Sequence, residues 1–209
     1  MQTDPDHDLV TACQAERPEG LEGSFRELYG QYKDRVYNVC YRITGSPADA
    51  LDASQETFGI LFRKIGGFRF ESRFSSWVYR IAVNASIDLK RRSGSRRLTS
   101  LDAPASDRGG GRGGARSGDL RGDFADEKTE LPAQAAARRE LEEEIQRAIL
   151  RLSPKMRAIT VLRYIESLSY DQIAQTLQIS IGTVKSRLAR AHQALDRELT
   201  PVLDKHFLR

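Results

Sequence analysis

The chain has 209 residues, 33 basic and 29 acidic side chains for a net charge of +4, 39% hydrophobic residues and 8% aromatics. That length suits one ordinary domain or two small ones, and the apolar content builds modest cores, which excludes a chain disordered throughout. No apolar run approaches a membrane span, and the acidic start Met1-Gln-Thr-Asp-Pro-Asp-His-Asp8 lacks the apolar core of a signal peptide, so a cytoplasmic location without membrane insertion is expected.

Charge is segregated along the chain. Acidic residues gather at 49–56 and 140–144, basic ones at 90–97 and 185–190. One acidic docking face beside two basic patches suits a protein that meets both a protein partner and a polyanion. Cys13 and Cys40 stand far apart with no paired spacing, which argues against a disulfide framework or a zinc site.

In chain order, residues 1–24 read as an N-terminal extension. Phe25, Leu28, Tyr29, Tyr32, Val36, Val39, Cys40 and Ile43 then recur at three- and four-residue spacing, the apolar stripe of a helix. Gly45-Ser-Pro47 stops it, with Ser46 as the cap of a second helix and Pro47 in its first turn. That helix carries Ala50, Ala53, Phe58, Leu61, Phe62 and Ile65 and ends at Gly66-Gly67. An aromatic and charged stretch, 68–74, leads to a third helix over 75–92, with Trp77, Val78, Ile81, Ala82, Ala85 and Leu89 on its buried side.

From residue 96 to 134 the pattern collapses into a Ser-, Arg- and Gly-rich run containing Gly109-Gly-Gly-Arg-Gly-Gly114, which reads as a flexible linker. Such a run can also bind nucleic acid, but it has no interleaved aromatics. Helical pattern resumes with Leu141, Ile145, Ala148, Ile149 and Leu152, breaks at Ser153-Pro154, and continues through Met156, Ile159, Val161, Leu162 and Tyr164. Two closely linked helices follow, over 170–177 and 181–199. The expected fold is all-α: two small helical domains, 25–95 and 135–209, joined by a flexible linker, the second containing a helix-turn-helix.

Three surfaces carry the functional signal. Ser169-Tyr-Asp-Gln172 is a capping box, and Gln178-Ile179-Ser180 is a short turn whose Ser180 caps the next helix. That helix buries Val184, Leu188, Ala191 and Leu195 and presents Thr183, Lys185, Ser186, Arg187 and Arg190, a donor-rich face for a DNA major groove. Asp49, Asp52 and Glu56 share a helix face with Gln55 beside them and Phe58 and Phe62 following. Carboxylates so placed could hold a metal or act as acid and base, or form a merely solvated face; an acidic face rimmed by aromatics is better suited to docking a basic protein surface. The stretch 68–84, with Arg80, Asn84, Asp88 and Arg91 on its helix, offers aromatics and cations to unstacked bases and a phosphate backbone. Trp77 is read as core, because Val78 and Ile81 share its side.

The blocks Phe25–Tyr41, Asp49–Phe58 and Phe74–Asp88 resemble region 2 of extracytoplasmic-function sigma factors, and Leu152–Tyr164 and Leu168–Leu188 resemble region 4. The resemblance implies a promoter-recognition subunit without catalysis, cofactor or metal. It implies core RNA polymerase and promoter DNA as partners, and admits an anti-sigma factor as a third. It places Asp49, Asp52, Gln55, Glu56 and Phe58 against the clamp of the largest polymerase subunit. Phe70, Ser72, Arg73 and Phe74 match the loop that captures a flipped base of the −10 element, and Arg80, Asn84, Asp88 and Arg91 the helix that contacts that element. Thr183, Lys185, Arg187 and Arg190 match the helix that reads the −35 element. The linker is longer and richer in glycine than the family's usual tether, and Ala53-Ser54 stands where larger apolar residues are common. A stand-alone helix-turn-helix regulator would share the C-terminal pattern, but the N-terminal half lacks α/β alternation and a phosphate-binding glycine loop. A metal-dependent nuclease would need a second ligand set that the scattered His7, His192 and His206 do not supply.

Overall fold

A computed structural model describes residues 4–16, 23–101 and 132–207. The glycine-rich run at 109–114 lies outside them. Among the described residues the chain is helical throughout: α1 (His7–Ala15), α2 (Ser24–Thr44), α3 (Pro47–Lys64), a single 3-10 turn (Ile65–Gly67), α4 (Phe74–Leu101), α5 (Pro132–Arg151), α6 (Pro154–Tyr164), α7 (Tyr170–Leu177) and α8 (Ile181–Phe207).

Local chemistry sets the boundaries. Gly45 ends α2 at φ +73°, the left-handed conformation that glycine adopts without a Cβ clash, and its N–H returns to the Tyr41 carbonyl at 2.8 Å. Ser46 Oγ accepts the Asp49 N–H at 3.3 Å, with Pro47 in the first turn, so the expected cap of α3 is present. Ser153 caps α6 in the same way through Met156.

α2, α3 and α4 pack on one another, and α1 lies along α2. Leu28, Val36, Val39, Ile43, Ala53, Leu61, Val78 and Ala82 are buried in that core. Each aliphatic side chain larger than alanine contributes about 1.5–3 kcal/mol by leaving water. Buried hydroxyls are satisfied within their own helices: Thr44, Thr57 and Ser86 donate to the carbonyl four residues back at 2.7–2.8 Å.

Three features depart from the sequence reading. The N-terminal extension contains α1, whose Val10 and Cys13 are fully buried. α4 continues nine residues past Arg92, because Gly94 alone costs a helix only about 1 kcal/mol and the next proline is Pro104. α8 runs beyond Leu199 to Phe207, with Pro201 inside it.

The C-terminal helices pack against the N-terminal set, α5 and α6 on α2 and α7 on α4. Polar contacts cross the same boundary. The buried Arg157 of α6 donates to the Ile43 carbonyl at the end of α2, and to Leu150 and Leu152 carbonyls at the end of α5. Arg42 donates to Gln146 at 3.0 Å. Tyr79 donates to Glu166, which also pairs with Arg35 at 3.3 Å.

Candidate functional site

The helix-turn-helix is built as its caps dictate. Gln172 Nα donates to Ser169 Oγ at 3.2 Å and Ser169 Nα donates to Gln172 Oε1 at 2.8 Å, closing the capping box. Gln178 turns the chain at φ 54°, and Ser180 Oγ accepts the Thr183 N–H at 3.1 Å to open α8. Ile173, Ala174, Val184, Leu188 and Ala191 are buried between the helices. Lys185, Ser186 and Arg190 are exposed, while Thr183 and Arg187 are half-buried. The donor face thus stands outward from the capped end of α8, with the orphan N–H groups of the first turn beside it.

On α3, Asp52, Gln55 and Glu56 are exposed. Asp49 is turned toward α4, with its carboxylate 3.9 Å from Lys90 Nζ. Phe58 is only 7% exposed and packs edge-to-face on Tyr29 at 4.7 Å. Leu51 and Phe62, at 46% and 45% exposure, supply the apolar part of this face instead. Phe62 thus rims the acidic face as its spacing suggests, whereas Leu51 was not singled out in the sequence because it stands alone between Ala50 and Asp52. No group of three metal-ligating side chains stands together among the described residues.

The 68–74 loop is a stack of rings. Phe68 lies 5.0 Å from Trp77, 5.1 Å from Phe70 and 5.4 Å from Phe74. Phe74 is fully buried and anchors the stack, whereas Phe70, Ser72 and Trp77 are half-buried and Arg73 is exposed. Trp77, expected as core, therefore joins the loop's aromatic face as well as the core. Beside the stack opens a cleft of about 850 Å³ in which the cations of Arg63, Lys64, Arg69 and Arg80 outnumber the one carboxylate, Glu71, beside the rings of Phe68 and Trp77, and to which Gln175 and Gln178 of the helix-turn-helix also contribute. Cations and ring faces together suit a single-stranded polyanion. On α4, Asn84 is exposed, and Asp88 pairs with Arg91 at 3.2 Å.

Burial pushes the Cys13 and Cys40 thiols up to about 11. Burial raises the Tyr79 phenol well above its usual value, with the Glu166 carboxylate adding to the effect. Burial also lowers the Arg157 guanidinium from its very high ordinary range.

Comparison with known proteins agrees with this layout. The family model for Sigma-70 region 2 matches residues 28–96, and that for Sigma-70, region 4 matches residues 142–195. The chain is 35% identical over 180 residues to the ECF RNA polymerase sigma factor SigW of Bacillus subtilis, covering 86% of this chain and 91% of that protein. It is 32% identical over 184 residues to the RNA polymerase sigma-H factor of Pseudomonas aeruginosa, covering 88% and 90%. Its fold is similar to that of CnrH solved with the cytosolic domain of CnrY, with a TM-score of 0.60 at 18% identity over 94% of this chain and 97% of that one. It is also similar to the sigma factor RpoE of Bartonella quintana solved with the anti-sigma factor NepR, with a TM-score of 0.59 at 20% identity over 84% and 96%. No helix among the described residues is long and apolar enough to cross a membrane. The chain belongs to the extracytoplasmic-function family of RNA polymerase sigma factors.

Proposed function

We propose that this sigma factor works in the cytoplasm as a promoter-recognition subunit with no catalysis of its own. Asp52, Gln55 and Glu56, with Asp49 and Phe58 supporting their helix, dock on the clamp of the largest polymerase subunit. The rings of the 68–74 loop, with Ser72 and Arg73, take a base of the −10 element out of the stack. Arg80, Asn84, Asp88 and Arg91 hold the strand beside it. Thr183, Lys185, Ser186, Arg187 and Arg190 meet the −35 duplex. Region 2 spans 25–95 and region 4 spans 135–209, with the 96–134 segment as their tether. An anti-sigma factor is a third partner, as for the Bartonella sigma factor of similar fold.

The observation that carries this reading is the pairing, in one chain, of rings and cations gathered on the 63–80 segment with a capped helix whose cations face outward. The first suits unpaired bases and the second suits a duplex groove. Run-off transcription with core polymerase and host genomic fragments tests it. Transcripts should begin at defined sites, and reversing Asp52→Lys with Glu56→Lys should abolish them. Specific initiation that survives the reversals would remove the docking assignment.

A further inference from the structure

α1 precedes the first segment matched by a family model, yet its side chains converge on the loop assigned to base capture. Gln14 Nε2 donates to two carbonyls at the loop's entrance, Ile65 of the preceding 3-10 turn at 3.0 Å and Phe68 at 2.9 Å. At the loop's other end, Asp4 Oδ2 accepts the Phe74 N–H at 2.6 Å. Phe74 opens α4, so this N–H has no acceptor within its own helix, and Asp4 supplies a cap from a distant part of the chain. At the apex, the His7 ring lies 4.6 Å from the Phe70 ring.

The anchor is itself fixed. Asp6 is 4% exposed and accepts from Tyr32 Oη at 2.5 Å and Gln31 Nε2 at 2.6 Å, tying the start of α1 to α2. The loop needs such support, because Phe70 sits at φ 56°. A side chain there crowds its own backbone, and the conformation persists only where its surroundings over-determine it. Three α1-segment residues grip both ends and the apex of one loop.

We propose that Asp4, His7 and Gln14 are positioning residues for −10 base capture: they hold the 68–74 loop in the geometry that receives the flipped base without touching DNA themselves. This rests on the assignment of that loop to the −10 element. The consequence is a division of labour in the N-terminal half of the chain, in which α1, outside region 2, supports strand opening while α3 serves attachment to the polymerase.

The test uses the full chain with core polymerase and a promoter carrying 2-aminopurine at an adenine of the −10 element. Gln14→Glu keeps the shape but removes the donor, and Asp4→Ala removes the acceptor. Each should slow the fluorescence rise on opening by about tenfold, the scale of one or two lost hydrogen bonds. Affinity for core polymerase should stay within about twofold. Phe70→Ala serves as the control for the loop assignment. If Phe70→Ala slows opening and both α1 variants open like the parent, the positioning role is wrong and the loop assignment stands. If Phe70→Ala itself opens normally, the loop assignment fails. Loss of core affinity in parallel with opening in both variants would overturn the proposal in favour of simple support of the fold. Amide exchange at Phe74 gives a second readout: it should accelerate in Asp4→Ala, and an unchanged rate contradicts the grip.

Discussion

Arg157 illustrates what one side chain does in this molecule. Its guanidinium is buried with no carboxylate partner among the described residues, and it donates to carbonyls at the C-terminal ends of two helices, α2 and α5. These carbonyls lie in the last turns of their helices, at the negative end of the helix dipole, and only Ile149 also accepts a main-chain N–H, from Leu152 at 3.1 Å, so a fixed cation supplies both donors and charge. Arg157→Met should cost about 2–4 kcal/mol, because several buried acceptors lose their donors at once. A lower thermal midpoint measured by calorimetry checks this, and an unchanged midpoint contradicts it. The two cysteines make a second residue-scale case. With their thiols held up to about 11 by burial, both stay protonated at neutral pH, and the reactive thiolate is scarce. An aromatic disulfide reagent should therefore leave Cys13 and Cys40 untouched in the folded chain at pH 7 and label both in denaturant.

At the scale of elements, caps were legible and long-range contacts were not. Ser46, Ser153, Ser169 and Ser180 mark helix starts through bonds only three residues long, so the residues themselves announce them. The stripe of α2 and the crossing of α7 and α8 follow from spacing alone. By contrast, α1 was missed because its short helix has only Val10 and Cys13 buried, and Gln14 and Asp4 act across more than fifty residues. Likewise Phe58 and Phe62 are alike in sequence, and only the packing of Tyr29 decides which one faces inward. For α8, substituting Arg187→Ala or Arg190→Ala should weaken −35 binding by about 1–3 kcal/mol if either reads a base. The penalty then falls on the cognate sequence. Equal weakening on every sequence, with a smaller salt slope, identifies a phosphate contact instead.

Taken whole, the two family-matched halves are fastened to each other. Arg157 joins α6 to α2, Glu166 meets Tyr79 and Arg35, and Gln146 meets Arg42. The −10 and −35 positions lie about 25 base pairs apart, roughly 85 Å along B-form DNA. A compact chain of this length is only about 45 Å across. Both elements are reached together only when region 4 leaves region 2, which the intervening segment is long enough to permit. Cysteines placed at Arg42 and Gln146 and joined by a short thiol crosslinker should abolish transcription from a two-element promoter, while the uncrosslinked variant remains active. Full activity after crosslinking would mean that the closed arrangement already serves the promoter.

Above all, this chain is to recognise promoters as part of RNA polymerase rather than alone. The most direct measurement is a mobility shift on one promoter fragment, with and without core polymerase, at fixed salt. A specific complex should form only when core is present and be lost when Asp52 and Glu56 are reversed to lysine. Tight, sequence-specific binding of the duplex by the chain alone, unaffected by those reversals, would contradict it and leave a stand-alone helix-turn-helix regulator.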